Sequence, residues 1–221
     1  MFQAAHFAPF LLEEFVGSGQ YLDQLEKLAE RLADRAAAHN DDFVRVVDAG
    51  CNVGFFGLFA DQILGPVSVT GFDPLPVNAE MAAENLGKAG VPHAMFPCAL
   101  GATTGTATFH VMSSTGSTMC ELERDLWESE TGHDAYDVDI DVFALDGCTV
   151  GRVDLLKLDV EGAEEDVLRG ARELLERDRP FVICSYEHPS NDVQAIVGLM
   201  GGYSVEDDEV NRLLTFSPLA P

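Results

Sequence analysis

A short apolar run that ends in an acidic residue and a glycine-rich turn restricts the fold of this chain more than any other feature. Residues 43–48 (FVRVVD) are rich in apolar and β-branched side chains and predict a buried strand. Residues 49–54 (AGCNVG) form the turn, and residues 55–64 continue as a helix-like apolar stretch. Because glycine permits unusual backbone angles, this pattern is typical of an α/β sheet whose strand ends face a ligand.

Strand-like and helix-like segments alternate along most of the 221 residues. This alternation predicts a single α/β domain over 41–221, with a mainly parallel sheet and helices on both faces. An amphipathic helix or helix pair over 11–38 predicts an N-terminal helical segment, residues 1–40, that packs on this domain. The predicted strands of the sheet are 43–48, 67–72, 93–99, 153–158, 180–186, one near 203 and 213–216, and the predicted helices are 55–64, 77–89, 161–177 and 193–200.

The middle of the chain departs from this alternation. Residues 106–112 and 138–143 alternate in polarity as strands do, and they flank a polar segment at 113–137. Long irregular connections in a compact domain are usually functional or disordered. We therefore interpret 113–137 as an insertion or a mobile cover.

The charge of the chain excludes several classes of partner. Thirty-eight acidic residues stand against 13 basic ones, which gives a formal net charge of −25. Such a surface repels nucleic acids and anionic membranes, so we expect neither as a partner. No stretch has the pattern of a secretory signal or a membrane span, which predicts a cytoplasmic protein. The five cysteines are scattered without a CxxC pair, and no metal site is predicted.

The end of the first strand predicts a ligand with positive charge. Asp48 closes this strand, and its carboxylate would repel a pyrophosphate. Asn52 stands where the dinucleotide fingerprint G-x-G-x-x-G has its second glycine, which disfavours a nicotinamide dinucleotide. The amino group and sulfonium of S-adenosylmethionine suit Asp48 better. The alternative is an ordinary strand–turn–helix corner without a ligand.

The end of the second strand carries another acidic residue at a suitable spacing. Asp73 follows the glycine turn by about twenty residues, the distance at which an acid accepts hydrogen bonds from both ribose hydroxyls. Pro74 and Leu75 then offer an apolar wall for an adenine ring. Taken alone, Asp73 would more often be a helix cap or a turn residue.

Three side chains are candidates for the general base. Asp159 follows the strand at 153–158, and Glu187 and His188 follow the strand at 180–186. Ligands of open α/β sheets lie outside these strand ends, where either a carboxylate or an imidazole can take a hydroxyl proton. One alternative is that Glu187 or His188 joins Asp159 in holding a metal. Others are a helix cap for Asp159 and a turn position for the histidine before Pro189.

Several blocks of sequence carry a family resemblance. They are VVDAGCNVGFFGLFA, GFDPLPVNAEMAAENL, the turn at 99–101, and VFALDGCTVGRVDLLKLDVEGAEEDVLRGARELL followed by RPFVICSYEH. Over 44–187 the chain resembles the FkbM family of S-adenosylmethionine-dependent methyltransferases. The order of the last block is specific to that family, whereas the glycine turn alone fits any class I methyltransferase.

The resemblance implies a seven-stranded Rossmann-like sheet with an antiparallel last strand. It also implies transfer of a methyl group from S-adenosylmethionine, usually to a hydroxyl oxygen, here of a small molecule or a sugar. The segment 113–136 occupies the region that varies with substrate in the family, so the acceptor stays open. The residues that the resemblance assigns to the cofactor are Asp48, Gly50, Asn52 and Gly54 for the methionine part, Asp73 for the ribose, and Ala99 and Leu100 for the adenine. Cys51 and Phe55, beside the glycines, are also expected to contact the cofactor, as are Pro74 and Leu75.

Two other functions stay open at this point. One is a NAD-dependent oxidoreductase, against which Asp48 and Asn52 count. The other is a non-catalytic module that keeps the nucleoside-binding fold. The oligomeric state is also open, with a homodimer among the options.

The acid excess leads to a prediction about salt. Self-repulsion of this size destabilises a compact chain unless salt screens it, so we hypothesise a halophilic source. Melting curves in low and molar KCl test this, and we expect a higher melting temperature in molar KCl. A melting temperature that does not rise would contradict the hypothesis.

Overall fold

A computed structural model describes residues 21–111, 117–118, 125, 128, 134 and 136–219. Strands β1 to β11 span, in chain order, Val44–Ala49, Val67–Phe72, His93–Phe96, Ala99–Leu100, Gly105–Val111, Ser117–Thr118, Tyr136–Phe143, Leu155–Leu158, Phe181–Ser185, Tyr203–Asp208 and Leu213–Pro218. Helices α1 to α6 span Leu22–Ala38, Phe55–Leu64, Pro76–Ala89, Glu164–Arg169, Arg172–Asp178 and Val193–Leu199.

Within these residues, seven strands form the main sheet in the order β10-β11-β9-β8-β1-β2-β3. Strand β1 is parallel to β2 and β8, and the pairs β2·β3 and β8·β9 are also parallel. Strand β11 runs antiparallel to both of its neighbours. The predicted α/β sheet with an antiparallel last strand is confirmed.

The central strands are buried because helices cover both faces of the sheet. All four residues of β8 and all five of β9 are buried, as expected for apolar strands in a parallel sheet. One face packs against α4 to α6 and the other against α1 and α2. Helix α1 joins this second layer through Leu25, Leu28 and Leu32, each at most 2% exposed.

The helix predicted at 161–177 is wrong in its extent, because two helices occupy this range. Gly170 separates α4 from α5, and a Cβ there would lie 2.1 Å from the backbone oxygen of Gly101. Gly170 also accepts a hydrogen bond from the amide of Asp146. The Asp146 carboxylate in turn accepts the amides of Glu173 and Leu174 at 3.0 and 2.9 Å, which caps α5 from a distant segment.

A second, four-stranded sheet lies outside the main one, in the order β4-β7-β5-β6. The strand predicted at 93–99 is therefore divided: His93–Phe96 pairs with β2, whereas Ala99–Leu100 pairs with β7. The strands predicted at 106–112 and 138–143 form the antiparallel pair β5·β7. Most of the predicted insertion at 113–137 lies outside the described residues, as does the part of the predicted N-terminal segment before residue 21.

Two features are absent from the described part of the chain. None of its helices is both long enough and apolar enough to cross a membrane. No group of three or more His, Cys, Asp or Glu side chains there is arranged to hold a metal ion.

Candidate functional site

The predicted acidic residues meet at one edge of the main sheet. Asp48 lies opposite Gly71 of β2 and Lys157 of β8 in the parallel registers, so three neighbouring strands end together. Asp73 follows β2, and Asp159 follows β8. The sheet topology thus brings together residues that are far apart in the sequence.

The glycine turn between β1 and α2 is held by contacts within the protein. Gly50 and Gly54 have φ of 74° and 86°, and Asn52 between them has φ of 44°. A Cβ on Gly50 would lie 1.8 Å from the backbone oxygen of Asp159, and one on Gly54 would lie 3.1 Å from atoms of Ala82. The close approach for which glycine is needed at these two positions is therefore to the chain itself.

Lys157 is the buried cation at the centre of this edge. Its side chain is 4% exposed, and its ammonium nitrogen lies 3.1 Å from Asp48 Oδ1 and 3.7 Å from Asp159 Oδ2. It also donates a 2.7 Å hydrogen bond to the backbone oxygen of Gly50. Burial lowers the pKa of Lys157, but the carboxylates of Asp48 and Asp159 outweigh burial, and its pKa lies above the ordinary value.

Sequence analysis assigned no role to Lys157. The available signal was a lysine within an apolar strand, VDLLKL, in a chain that has only three lysines. A charged side chain at such a position requires a partner, because an unpaired buried charge is costly.

Asp48 is a buried acidic residue near the end of β1. The residue has no exposed surface, and the ammonium of Lys157 is its close charged neighbour. Burial raises the pKa of Asp48 against the opposing effect of Lys157. Asp48 thus contacts Lys157 within the protein, and its direct contact with a cofactor stays a prediction.

Asp73 joins the glycine turn to the start of α3. Its Oδ2 accepts the amide of Asn52 at 3.0 Å, and its Oδ1 accepts the amide of Leu75 at 2.9 Å and the side-chain amide of Asn78 at 3.1 Å. Burial raises the pKa of Asp73, and these hydrogen bonds lower it. A carboxylate has about four lone-pair sites, so capacity remains for a ribose hydroxyl. Asp73 therefore has the structural role of a turn residue. Its hydrogen bond to a ribose hydroxyl stays a prediction.

The residues predicted beside the adenine lie in two apolar clusters. Leu75 packs against the core of the second sheet, to which Ala99 also belongs. Leu100 is 2% exposed and belongs to the main core. Pro74 is partly exposed at the turn after β2. Phe96, which sequence analysis did not select, is 44% exposed and stacks on Phe72 with ring centroids 5.3 Å apart.

Two further residues predicted to contact the cofactor are Cys51 in the glycine turn and Phe55 at the start of α2. Cys51 is buried, its sulfur lies 4.0 Å from that of Met95, and burial raises the pKa of its thiol well above the ordinary value. Phe55 is partly buried and packs on the core beneath α1 and α2. Their contacts with a cofactor stay predictions.

A second residue that sequence analysis missed contacts Asp159. The hydroxyl of Tyr21 donates a 2.8 Å hydrogen bond to Asp159 Oδ2, across 138 positions of sequence. The ring of Tyr21 lies edge-on to that of Phe56, with centroids 5.3 Å apart. No local pattern indicates such a contact, because it depends on how α1 packs on the sheet.

His188 is buried after β9 and contacts the loop that follows it. Its Nδ1 accepts the backbone amide of Ser190 at 3.2 Å and lies 2.7 Å from the Ser190 hydroxyl. Gly162, with φ of 99°, permits this packing, because a Cβ there would lie 2.5 Å from Nδ1. The role of His188 as a general base stays a prediction.

Glu187 and Glu164 differ in exposure and role. Glu187 is exposed at the end of β9, as expected for a residue that can meet an acceptor. Glu164 is 1% exposed, and its carboxylate accepts the amides of Val160 and Gly162 at 2.8 and 3.0 Å. Glu164 thus holds the loop after β8, which agrees with a structural role.

The pair formed by Lys157 and Asp48 leads to a prediction about stability. Lys157→Met leaves a buried carboxylate without its counter-ion, and we expect a loss of about 3–5 kcal/mol in the free energy of unfolding. Chemical denaturation followed by circular dichroism measures this loss. The double variant Asp48→Asn/Lys157→Met is the control and should regain much of it.

The same variant should change the pH dependence of stability. A carboxyl whose pKa is raised in the folded state binds its proton more tightly there, so stability falls as the pH rises above about 3.8, its ordinary pKa. Without Lys157 this fall should be steeper between pH 4 and 7. Equal slopes for the wild type and Lys157→Met would contradict the pairing.

Comparison with known proteins agrees with this geometry. Residues 48–215 match the family model described as the methyltransferase FkbM domain. Methyltransferase sdnD of Sordaria araneosa is 31% identical over 158 residues, which covers 58% of this chain and 60% of that protein. Methyltransferase 1 of Beauveria bassiana (strain ARSEF 2860) is 28% identical over 162 residues, with coverage of 66% and 64%. This chain thus spans about three fifths of the length of these relatives.

A solved structure shares the fold. The crystal structure of methyltransferase FkbM from Methylobacillus flagellatus KT superposes with a TM-score of 0.57 at 19% identity, and the match covers 79% of this chain and 44% of that one. The likeness supports the fold alone, whereas the family match covers the blocks that carried the resemblance. The chain belongs to the FkbM methyltransferase domain family.

Proposed function

We propose that this protein is an S-adenosylmethionine-dependent methyltransferase that acts on a hydroxyl group of a small molecule or saccharide. The observation that carries the proposal is the convergence of Asp48, Asp73 and Asp159 at neighbouring strand ends. The match to the FkbM methyltransferase domain family supports methyl transfer as the reaction at this edge.

The charge of the edge fits S-adenosylmethionine. Asp48 and Asp159 contact the ammonium of Lys157 there and Asp73 lies at the same edge, so these acidic side chains outnumber that ammonium. A sulfonium and an amino group compensate such a charge, whereas the pyrophosphate of a dinucleotide adds to it. This argument favours S-adenosylmethionine over NAD as the cofactor.

The residues divide between the parts of that cofactor. Asp73 would hold the ribose with its remaining lone-pair capacity, beside Pro74 and Leu75 at the adenine. The turn at 50–54 would hold the methionine part. Bound there, S-adenosylmethionine supplies a methyl group already activated by its sulfonium.

The chain itself must then align an acceptor oxygen, exclude water and accept a proton. Asp159, Glu187 and His188 are the side chains proposed to accept it, and of these Asp159 and Glu187 are carboxylates. A carboxylate can accept the proton that a hydroxyl acceptor loses during or after methyl transfer. The acceptor is therefore proposed to be a hydroxyl oxygen.

Calorimetry with the purified chain tests the cofactor. We expect heat of binding with S-adenosylmethionine and with S-adenosylhomocysteine, and none with NAD. Asp73→Asn should weaken both interactions by about ten-fold or more, because it removes charge-assisted hydrogen bonds. Asp61→Asn is the control, since Asp61 accepts a 3.4 Å backbone hydrogen bond at the opposite end of α2.

Two results would contradict the proposal. One is the absence of heat with both nucleosides. The other is unchanged affinity in Asp73→Asn together with no labelled product after incubation of the wild type with methyl-labelled S-adenosylmethionine and cell extract.

A further inference from the structure

The two oxygens of Asp159 have different surroundings. Oδ2 accepts the hydroxyl of Tyr21 at 2.8 Å and lies 3.7 Å from the ammonium of Lys157. Among the residues that the structure describes, this one oxygen makes both of the side-chain contacts of Asp159. The side chain is nevertheless 35% exposed, so Oδ1 is the oxygen left to meet a ligand.

Tyr21 is well placed to fix that arrangement. It is 4% exposed and immediately precedes α1, whose Leu25 amide donates a 3.0 Å hydrogen bond to the Tyr21 backbone oxygen. Its ring packs edge-on against Phe56, at an interplanar angle of 82°. The ammonium of Lys157 lies 6.0 Å from the centre of the same ring. The phenol therefore has little freedom to turn away from Asp159.

The hydroxyl of Tyr21 remains a donor. Burial raises its pKa well above the ordinary value, and the charges of Asp159, Asp48 and Glu187 raise it further. Loss of its proton would place a phenolate beside the carboxylate of Asp159. Tyr21 thus keeps its proton at neutral pH and donates it in the hydrogen bond to Asp159.

We propose that Tyr21 is a positioning residue for methyl transfer: its hydroxyl, together with Lys157, holds Asp159 Oδ2 so that Oδ1 faces the acceptor hydroxyl. This inference rests on the proposed function and adds to it a residue from outside the sheet. It also gives α1 a role in the reaction, because the packing of that helix sets the position of the phenol.

Tyr21→Phe removes the hydroxyl and keeps the ring against Phe56. At saturating S-adenosylmethionine, the rate of labelled methyl transfer to the acceptor fraction of a cell extract should fall about ten-fold, the effect of one hydrogen bond to a charged group. Affinity for S-adenosylhomocysteine, measured by calorimetry, should stay within about two-fold of the wild type, because Tyr21 acts on the acceptor side.

Tyr186→Phe is the matched control. The Tyr186 hydroxyl donates a 2.7 Å hydrogen bond to Asp207, and the residue is 8% exposed, so the lost interaction is of the same kind. Its partner lies in β10, at the edge of the main sheet farthest from β3. This variant should lose similar stability and keep the rate of methyl transfer.

A double-mutant cycle separates positioning from a general structural effect. If Tyr21 acts through Asp159, Tyr21→Phe should have almost no further effect on the rate in an Asp159→Ala background. An unchanged rate in Tyr21→Phe would overturn the proposal, and so would an equal loss in both backgrounds. An unfolded Tyr21→Phe beside a folded Tyr186→Phe would also overturn it, because the hydroxyl would then serve folding.

Measurements on the wild type separate a failure of the proposed function from a failure of the role proposed for Tyr21. If it neither binds S-adenosylhomocysteine nor transfers the label, the proposed function fails and this inference fails with it. If it does both and Tyr21→Phe behaves as the wild type, only the role of Tyr21 is refuted.

Discussion

A single buried lysine determines how the carboxyl edge of the sheet is built. Lys157 lies between Asp48 and Asp159 and reaches the backbone of the glycine turn at Gly50. In these buried surroundings the carboxylates of Asp48 and Asp159 would repel each other if no cation lay between them. The lysine therefore joins β1, β8 and the turn between β1 and α2 into one electrostatic unit, and the rest of the candidate site is arranged around it.

This unit gives individual residues structural roles beside those predicted from the sequence. Asp48 is the internal partner of the lysine and has no exposed surface. Asp159 is the carboxylate that keeps an exposed part, with one oxygen anchored. Gly50 is glycine because the backbone of Asp159 lies where a side chain would be. The acidic and glycine positions of the family motif thus serve first to assemble the edge.

Much of this could be predicted from the sequence, and the misses have physical causes. Strand and helix periodicity gave the main sheet, because buried parallel strands and amphipathic helices leave strong patterns. Periodicity did not reveal the break at Gly170, which depends on contact with the distant Gly101. It also did not reveal Tyr21, whose partner lies 138 positions away. The hydrogen bond between the Ser190 amide and His188 Nδ1 was also not predicted, because residue type alone does not fix the direction of the ring.

The central claim is that a positively charged nucleoside lies across the ends of β1 and β2 while Lys157 stays between its two carboxylates. A crystal structure of the complex with S-adenosylhomocysteine tests it most directly. We predict the ribose hydroxyls on Asp73, the amino acid part along the glycine turn, and Lys157 in contact with Asp48 and Asp159. Electron density for the nucleoside at another edge of the sheet, or a Lys157 that has left Asp48 to bind the ligand, would contradict the account.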